Sequence, residues 1–407
     1  MIETYGRKGE GKMKQKQRIL ILIMVITMIF SCFPVPLYAQ EQKDTNDFNL
    51  QSESAILMEI STGQVIYQYN AIKRLRPASI TKIMTLLLIF EAIESNKISM
   101  QDEVVVSKHA ASMEGSKVFL EEGETQTVDT MIKCITVSSG NDAAVAMAEH
   151  VAGSEEAFVK KMNERAQKLG MKDTHFVNCC GLDADNHYSS ALDIAIMSRE
   201  LVTKHPKIYE YSSIWMDTIT HVTRRGSSEF GLSNTNKLIR HYKGMTGLKT
   251  GSTSKAKFCL SGTAKRNGVE LIAVAMAAPN AKTRNKEVAN LLNFGFSNCQ
   301  VYKDTKTTEK IGKIKVAKGE KDTVEYTVPS SFQYMIIKGQ EDIKITKKLK
   351  LKEKIKAPIK KGQVLGQVSY YQDQKLIGTL EIKAKEEVKE LTFSHCLKKM
   401  WEALLFS

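Results

Sequence analysis

A chain of 407 residues is too long for one compact core and implies two or three folded units. Its 42% hydrophobic and 26% charged residues are ordinary globular usage, which excludes a disordered chain and a polytopic membrane protein. The net charge of +14 sits at the ends. Residues 1–18 hold six Lys/Arg against two Glu, and residues 301–407 hold 23 Lys, no Arg and 14 Asp/Glu, leaving about +1 for the middle. Nucleic-acid readout favours Arg forks, which the basic C-terminal third lacks, so that class is set aside.

The basic start is followed by an apolar run from Ile19 to Phe30, then Pro34, Pro36 and Leu37-Tyr38-Ala39. A spanning helix needs ~20 apolar residues, a signal peptide core ~7–15. Residues 1–39 therefore read as a signal peptide cut after Ala39, with an uncleaved N-terminal anchor as the alternative. Either reading puts the bulk of the chain beyond the cytoplasmic membrane. The cysteines after this segment are widely and irregularly spaced and read as small buried hydrophobes. The His residues form no H-E-x-x-H or similar ligand spacing, so no metal is expected.

Ser54–Tyr69 reads as a hairpin, with strands Ala55–Ile60 and Gln64–Tyr67 around Ser61-Thr62-Gly63. Ile80 to Ile93 is apolar and of helical length. Residues 127–151 read as two helices broken at Ser138-Ser139-Gly140, and Ser154–Leu169 as a third. Phe258–Lys265 and Val269–Ala278 flank an Asn-Gly turn, and Asn285–Phe296 is helical. Strands at both ends with helices between them predict an α/β (α+β) domain over 45–297. Short Lys-rich alternating runs such as Ile343–Lys350 and Val364–Tyr371 predict a small all-β domain over 298–386. In 387–407, Phe393, Leu397, Met400, Trp401 and Leu404 share one helical face, with Lys398 and Lys399 elsewhere. That pattern suits a helix lying at a membrane surface, or one docked on the protein itself.

Three short motifs carry chemistry. Ser79-Ile80-Thr81-Lys82 puts a hydroxyl and an amine on one helical face, as a nucleophile and its base require, although Ser252–Lys255 and Ser254–Lys257 share the spacing. Ser139-Gly140-Asn141 offers a hydroxyl and a carboxamide at a helix break, or simply a helix cap. Lys249-Thr250-Gly251 offers a cation and a hydroxyl for an anionic ligand beside a small residue, or a surface Lys beside a turn.

In this order, 60 and 110 residues apart, the three motifs resemble those of the serine penicillin-recognising enzymes. Within them the chain is most similar to the low-molecular-mass penicillin-binding proteins that are D-alanyl-D-alanine carboxypeptidases. Phe176-Val177-Asn178, Gly181-Leu182-Asp183, His187-Tyr188-Ser189 and Asn236-Lys237-Leu238 support this, while Cys179-Cys180 and Lys257 depart from the usual pattern. The resemblance implies a β-lactamase/transpeptidase-like catalytic domain and the hydrolysis of peptidoglycan stems ending in D-Ala-D-Ala. It implies Ser79 as nucleophile, Lys82 as base and Ser139 as proton relay. Asn141 would hold the substrate amide and the Lys82 surroundings, and Lys249 and Thr250 the terminal carboxylate. Gly251 and Ser252 would border the substrate, with the backbone N–H groups of Ser79 and Ser252 forming the oxyanion hole. It further implies acylation by β-lactams, no metal or organic cofactor, and residence at the outer face of the cytoplasmic membrane or in the cell wall space. A β-lactamase on the same scaffold would need a deacylating carboxylate in an R-x-E-x-x-x-N-like segment, which this chain lacks. A non-catalytic peptidoglycan-binding protein would not need the full Ser79, Lys82, Ser139 and Lys249 set.

Overall fold

The computed structural model describes residues 46–224, 226–304, 311–328, 332–337, 344–353, 355–372 and 374–405. The expected signal segment lies outside them.

Strands β1 (Ser54–Glu59) and β2 (Val65–Tyr69) form the expected hairpin. Two ribbons follow: β3 (Glu103–Val105) with β4 (Thr125–Thr127), and β5 (Met216–Thr223) with β6 (Gly226–Ser233). Strands β7 (Met245–Thr253), β8 (Lys257–Arg266) and β9 (Val269–Ala278) then pair back onto β1, giving an antiparallel sheet in the order β2-β1-β9-β8-β7.

Both faces of this sheet are covered, which explains why its central strands are apolar at nearly every position. Ile56, Met58, Ile272, Val274 and Met276 point into one core, and Ala55, Leu57, Leu271, Ala273 and Ala275 into the other. The first core is helical. Its centre is α1 (Lys82–Glu94), apolar almost all round and packed against α2 (Val128–Val137), α3 (Asn141–Ala152), α4 (Glu155–Lys168) and α5 (Ala191–Lys204). Thr127, Ser154 and Ser190 cap α2, α4 and α5 through side-chain oxygens.

The second core lies under α6 (Ala281–Asn298). This helix starts four residues before the expected Asn285, because Asn280 accepts from the Thr283 N–H at 2.8 Å and caps it there. Neither α5 nor the β5–β6 ribbon was anticipated. The ribbon is mostly exposed and largely polar, so it lacks an apolar alternation to announce it.

Beyond α6 the elements among the described residues are all strands until the last helix. Strands β10 (Cys299–Lys303) and β13 (Gln333–Ile337) pair, and Met335 joins the second core. Strands β11 (Ile311–Ala317), β12 (Thr323–Thr327), β14 (Ile345–Leu351), β15 (Ile355–Lys356), β16 (Val364–Gln372) and β17 (Lys375–Ala384) form a sheet in the order β14-β16-β17-β12-β11-β15. Stacked Phe332 and Tyr370 rings, 3.7 Å apart, anchor one of its cores.

The last helix, α7, spans Phe393–Leu405, shorter than the 387–407 expected. Val388 is buried and bridges Ile359, Glu390 bridges Gly319, and the Leu391 N–H donates to the Lys318 carbonyl, so 388–391 belongs to the sheet. Phe393, Leu397, Met400 and Trp401 are exposed on α7. Among the described residues no helix is long and apolar enough to cross a membrane, and the six cysteines are free thiols.

Candidate active site

The chain enters α1 through a single 3-10 turn, Ala78–Thr81, with Ala78 at φ +49°. Two glycines allow this turn to be packed tightly. A Cβ on Gly181 would fall 1.9 Å from the Ala78 carbonyl oxygen, and one on Gly251 would fall 2.9 Å from the Ser79 nitrogen. Gly251 was expected to make room for substrate. It borders the cleft, but the close approach it allows is of β7 to the turn that carries Ser79.

Lys82 is fully buried at the start of α1. Its Nζ lies 3.0 Å from Ser79 Oγ, 2.6 Å from Asn141 Oδ1 and 2.7 Å from the Cys180 carbonyl. Burial lowers its pKa below the ordinary 10.5, opposed by the weaker fields of Cys180, Cys179 and Asp142. A neutral amine has two N–H groups and one lone pair. A neutral Lys82 would give its two N–H groups to the two carbonyl oxygens and turn its lone pair to the Ser79 hydroxyl, the arrangement that a base beside its nucleophile requires.

Ser139 stands in the break between α2 and α3 with φ +64°. Its Oγ accepts from Lys249 Nζ at 2.9 Å, and Lys249 also donates to the Thr250 carbonyl at 3.0 Å. Burial, then the neighbouring Lys82 and Arg284 charges, hold the Lys249 ammonium well below its usual pKa. Asn141 is engaged at both ends of its amide, since Nδ2 donates to the Glu114 carbonyl at 2.5 Å while Oδ1 accepts from Lys82.

A cleft of about 210 Å³ joins these parts. Ser79, Ser139, Thr250, Gly251 and Ser252 line it, whereas Lys82, Asn141 and Lys249 are buried behind them. Four further lining residues, Ser116, Thr235, Lys237 and Arg284, were not singled out from the sequence as site residues. Thr235 Oγ1 lies 2.6 Å from Thr250 Oγ1. Arg284 is 5% exposed and makes no ion pair among the described residues. Its guanidinium donates to Asn285 Oδ1 and, at 3.4 Å, to the Cys259 carbonyl, and desolvation pushes its pKa down to about 10. One signal could have found it: a cation in the first turn of a helix, where the dipole favours an acid.

The departures at Cys179 and Cys180 act through the backbone. Their thiols are buried and pushed up in pKa by desolvation, while their carbonyls accept from Thr85 Oγ1 at 2.5 Å and from Lys82. His187 braces the same end of the cleft. Its Nδ1 accepts from the Val177 N–H at 3.2 Å, so Nε2–H donates to Thr81 Oγ1 at 2.9 Å. Burial lowers its pKa to about 4.

The sequence matches the family model described as D-alanyl-D-alanine carboxypeptidase over residues 39–280, and that of the penicillin-binding protein 5 C-terminal domain over 296–390. It is 42% identical to the D-alanyl-D-alanine carboxypeptidase DacF of Bacillus subtilis, over 91% of this chain and 95% of that one. It is 34% identical to DacD of Escherichia coli, over 84% and 88%. Penicillin-binding protein 5 from Haemophilus influenzae superposes with a TM-score of 0.67 at 31% identity, covering 84% of this chain and 98% of the other. The regulatory factor PBP3 from Streptococcus pneumoniae does so with a TM-score of 0.68 at 27% identity, covering 84% and 100%. The two family matches and the similarity over nearly the full length of these relatives favour a carboxypeptidase, and the rival readings as a β-lactamase or a silent binding protein give way. The chain belongs to the serine D-alanyl-D-alanine carboxypeptidase family of low-molecular-mass penicillin-binding proteins, which remove the terminal D-alanine from peptidoglycan stems through an acyl-enzyme and are acylated by β-lactams.

Proposed function

We propose that Ser79 is the nucleophile of this carboxypeptidase, Lys82 its general base and Ser139 the relay to the leaving group. The Ser79 proton passes to the Lys82 lone pair as Oγ bonds the carbonyl carbon of the penultimate D-alanine. A proton reaches the departing nitrogen through Ser139, the C–N bond breaks and D-alanine leaves. Lys82, neutral again once its proton has left with D-alanine, takes a proton from water as the water oxygen bonds the acyl carbon. The ester bond to Ser79 Oγ then breaks, and Oγ takes that proton back. The backbone N–H groups of Ser79 and Ser252 hold the oxyanion, each contributing ~3–4 kcal/mol. The observation that carries this reading is the Lys82 amine, buried with no carboxylate partner among the described residues and 3.0 Å from Ser79 Oγ.

The terminal carboxylate is read by the Thr250 and Ser252 hydroxyls and by Arg284, with the Lys249 charge behind them. Asn141 orients the base and supports the substrate amide from the side of the cleft. Residues 45–297 form the catalytic domain and 298 to about 391 the β-domain. The protein works after export, at the outer face of the cytoplasmic membrane, with α7 as its contact to the lipid surface. Supporting this contact are the exposed Phe393, Leu397, Met400 and Trp401, an apolar stripe ending in an interfacial aromatic. Deleting 393–407, which spares buried Val388, should abolish co-sedimentation with anionic liposomes and leave hydrolysis intact. Equal pelleting of both forms would remove α7 from that role.

The test of the catalytic assignment is Ser79→Ala. It should end both D-alanine release and labelling by a fluorescent penicillin. Labelling that persisted at Ser252 or Ser254 would overturn it.

A further inference from the structure

The β-domain carries a charge pattern for which the catalytic cleft has no use. Residues 344–361 hold nine lysines and a single acid, Glu353. On β14 the side chains divide by face. Ile345 and Leu351 pack against the core that holds Tyr370. Lys347, between them, pairs at 3.1 Å with buried Asp304, which also accepts from the Tyr370 hydroxyl. Alternation along the strand therefore turns Thr346, Lys348 and Lys350 outward. Lys344 stands just before the strand in the same phase and Lys352 just after it. Lys344, Lys348, Lys350 and Lys352 are all exposed.

Among the described residues none of these four lysines has an ion pair. Lys348 lies 5.1 Å from the Tyr371 ring centre, and Lys352 donates to the Val364 carbonyl at 2.9 Å. The neighbouring strand does not neutralise them. On β16, Lys348 stands opposite Ser369 and Lys350 opposite Gln367. The next strand across, β17, sets Glu381 opposite Gln367, but Glu381 is paired with Lys383 at 3.2 Å. On its other side β14 ends the sheet. The positive charge is therefore one strand wide. Alternate residues of a strand are ~6.7 Å apart, so the row from Lys344 to Lys352 is ~27 Å long, interrupted only at Thr346.

We propose that this row of lysines binds a linear polyanion outside the membrane, a polyol phosphate chain laid along β14. The match is one of period. A glycerol phosphate repeat has as many backbone bonds as two residues of polypeptide, so when extended it spans about 7 Å. Successive phosphates can then meet successive lysines. Lysine suits this contact, because its ammonium is a point charge that needs no fixed fork geometry. A bilayer spreads its charge over a plane, of which a row one strand wide engages little. Single-stranded nucleic acid is held on rows of aromatic rings, whereas among the described residues only Tyr371 sets its ring against these lysines. Lysines on an end strand also discourage pairing with a second copy, a role that requires no ligand. The proposal rests on the reading that the chain works after export and not on its catalytic chemistry.

The test titrates the mature full-length protein into a fluorescent oligomer of about ten glycerol phosphate units, longer than the row, and follows anisotropy as salt is varied. Four phosphate contacts give log K a slope of about −3 against log salt, so affinity should fall about 50-fold between about 50 and 200 mM. Lys348→Gln combined with Lys350→Gln should halve that slope and weaken binding about 25-fold near 0.1 M salt. Lys360→Gln combined with Lys361→Gln removes the same charge beyond the Ile359–Val388 bridge, off the row, and should change affinity by about twofold at most. D-alanine release should be equal in all three proteins, so a failure here and a failure of the carboxypeptidase reading are told apart. Equal losses in the two double variants would reduce the effect to net charge and overturn the row. Absence of binding at about 50 mM salt would leave the lysines as protection of the end strand and overturn the proposal. Tighter binding of a DNA strand of about 20 nucleotides would overturn the choice of polymer. So would a loss of anionic-liposome pelleting in the Lys348→Gln, Lys350→Gln protein with polymer binding unchanged, since the row would then be a lipid contact.

Discussion

Lys82 and Lys249 stand behind the same cleft and are buried to the same degree, 0% and 1% exposed, yet their surroundings prepare them for opposite work. Lys82 meets three oxygens, two of them carbonyl oxygens and the third the Ser79 hydroxyl. That set satisfies a neutral amine completely and leaves its lone pair for a proton. Lys249 meets one hydroxyl and one carbonyl, and its electrostatic neighbours are Lys82 and Arg284 rather than an acid. Among the described residues this end of the cleft has no acid facing Lys249, which suits it to the proposed role of receiving the carboxylate of a peptide terminus. Burial depresses both amines, so burial alone does not distinguish a base from an anion site. The partners do.

The largest effect expected is at Lys82. Lys82→Met should slow acylation by about 10³-fold, the middle of the range for a positioned base. The sign of its pH dependence follows from the direction of the shift. A lowered pKa makes the amine neutral at lower pH, so wild-type acylation should rise with pH through a value below 10.5. Stopped-flow acylation by a chromogenic β-lactam from pH 5 upward measures the limb. Its survival in Lys82→Met would assign the base elsewhere and dissolve the contrast between the two lysines.

A smaller, more selective loss is expected at the other end. Lys249→Ala and Arg284→Gln should each lower kcat/KM for a free-carboxylate peptide by roughly 10- to 100-fold, the scale of a charged hydrogen bond. The same peptide ending in an amide should lose much less. Equal losses on both peptides for Lys249→Ala would mean that Lys249 serves only to hold Ser139, its direct partner at 2.9 Å.

The residues that meet at both ends were legible in the sequence because each end is carried by a short local motif. Lys82 follows Ser79 by three residues, and Ser139 and Asn141 share one helix break. Arg284, Thr235 and Ser116 come from three separate segments, and only the fold brings them to the cleft. Phe119 shows the limit most clearly. Nothing in its own neighbourhood predicts a left-handed phenylalanine, because the cause is the Asp142 carboxylate arriving from α3. The sheet was readable in its central strands, where both faces are apolar. The β5–β6 ribbon was not, having little to bury. The start of α7 was placed too early: Val388 lies outside the helical stripe that begins at Phe393 and is held in the sheet by its bridge to Ile359.

The smallest effect separates the two ends by stability rather than rate. The Lys82 end has a brace in His187, whose Nε2–H donates to Thr81 inside the Ser79–Lys82 turn. Burial lowers the His187 pKa to about 4 from the ordinary 6.5. In that interval the unfolded chain binds a proton at this position and the folded chain does not, so stability should fall as pH drops from 6.5 towards 4. The loss amounts to at most about 3 kcal/mol. Many carboxylates titrate in the same range, so the quantity to read is the difference between the wild type and His187→Gln. Glutamine can still donate to Thr81 and accept from Val177, but it does not titrate. Urea midpoints should therefore diverge on acidification, with the wild type losing more, while D-alanine release at pH 7.5 stays within a few-fold. Parallel curves would show that His187 takes up its proton as readily folded as unfolded.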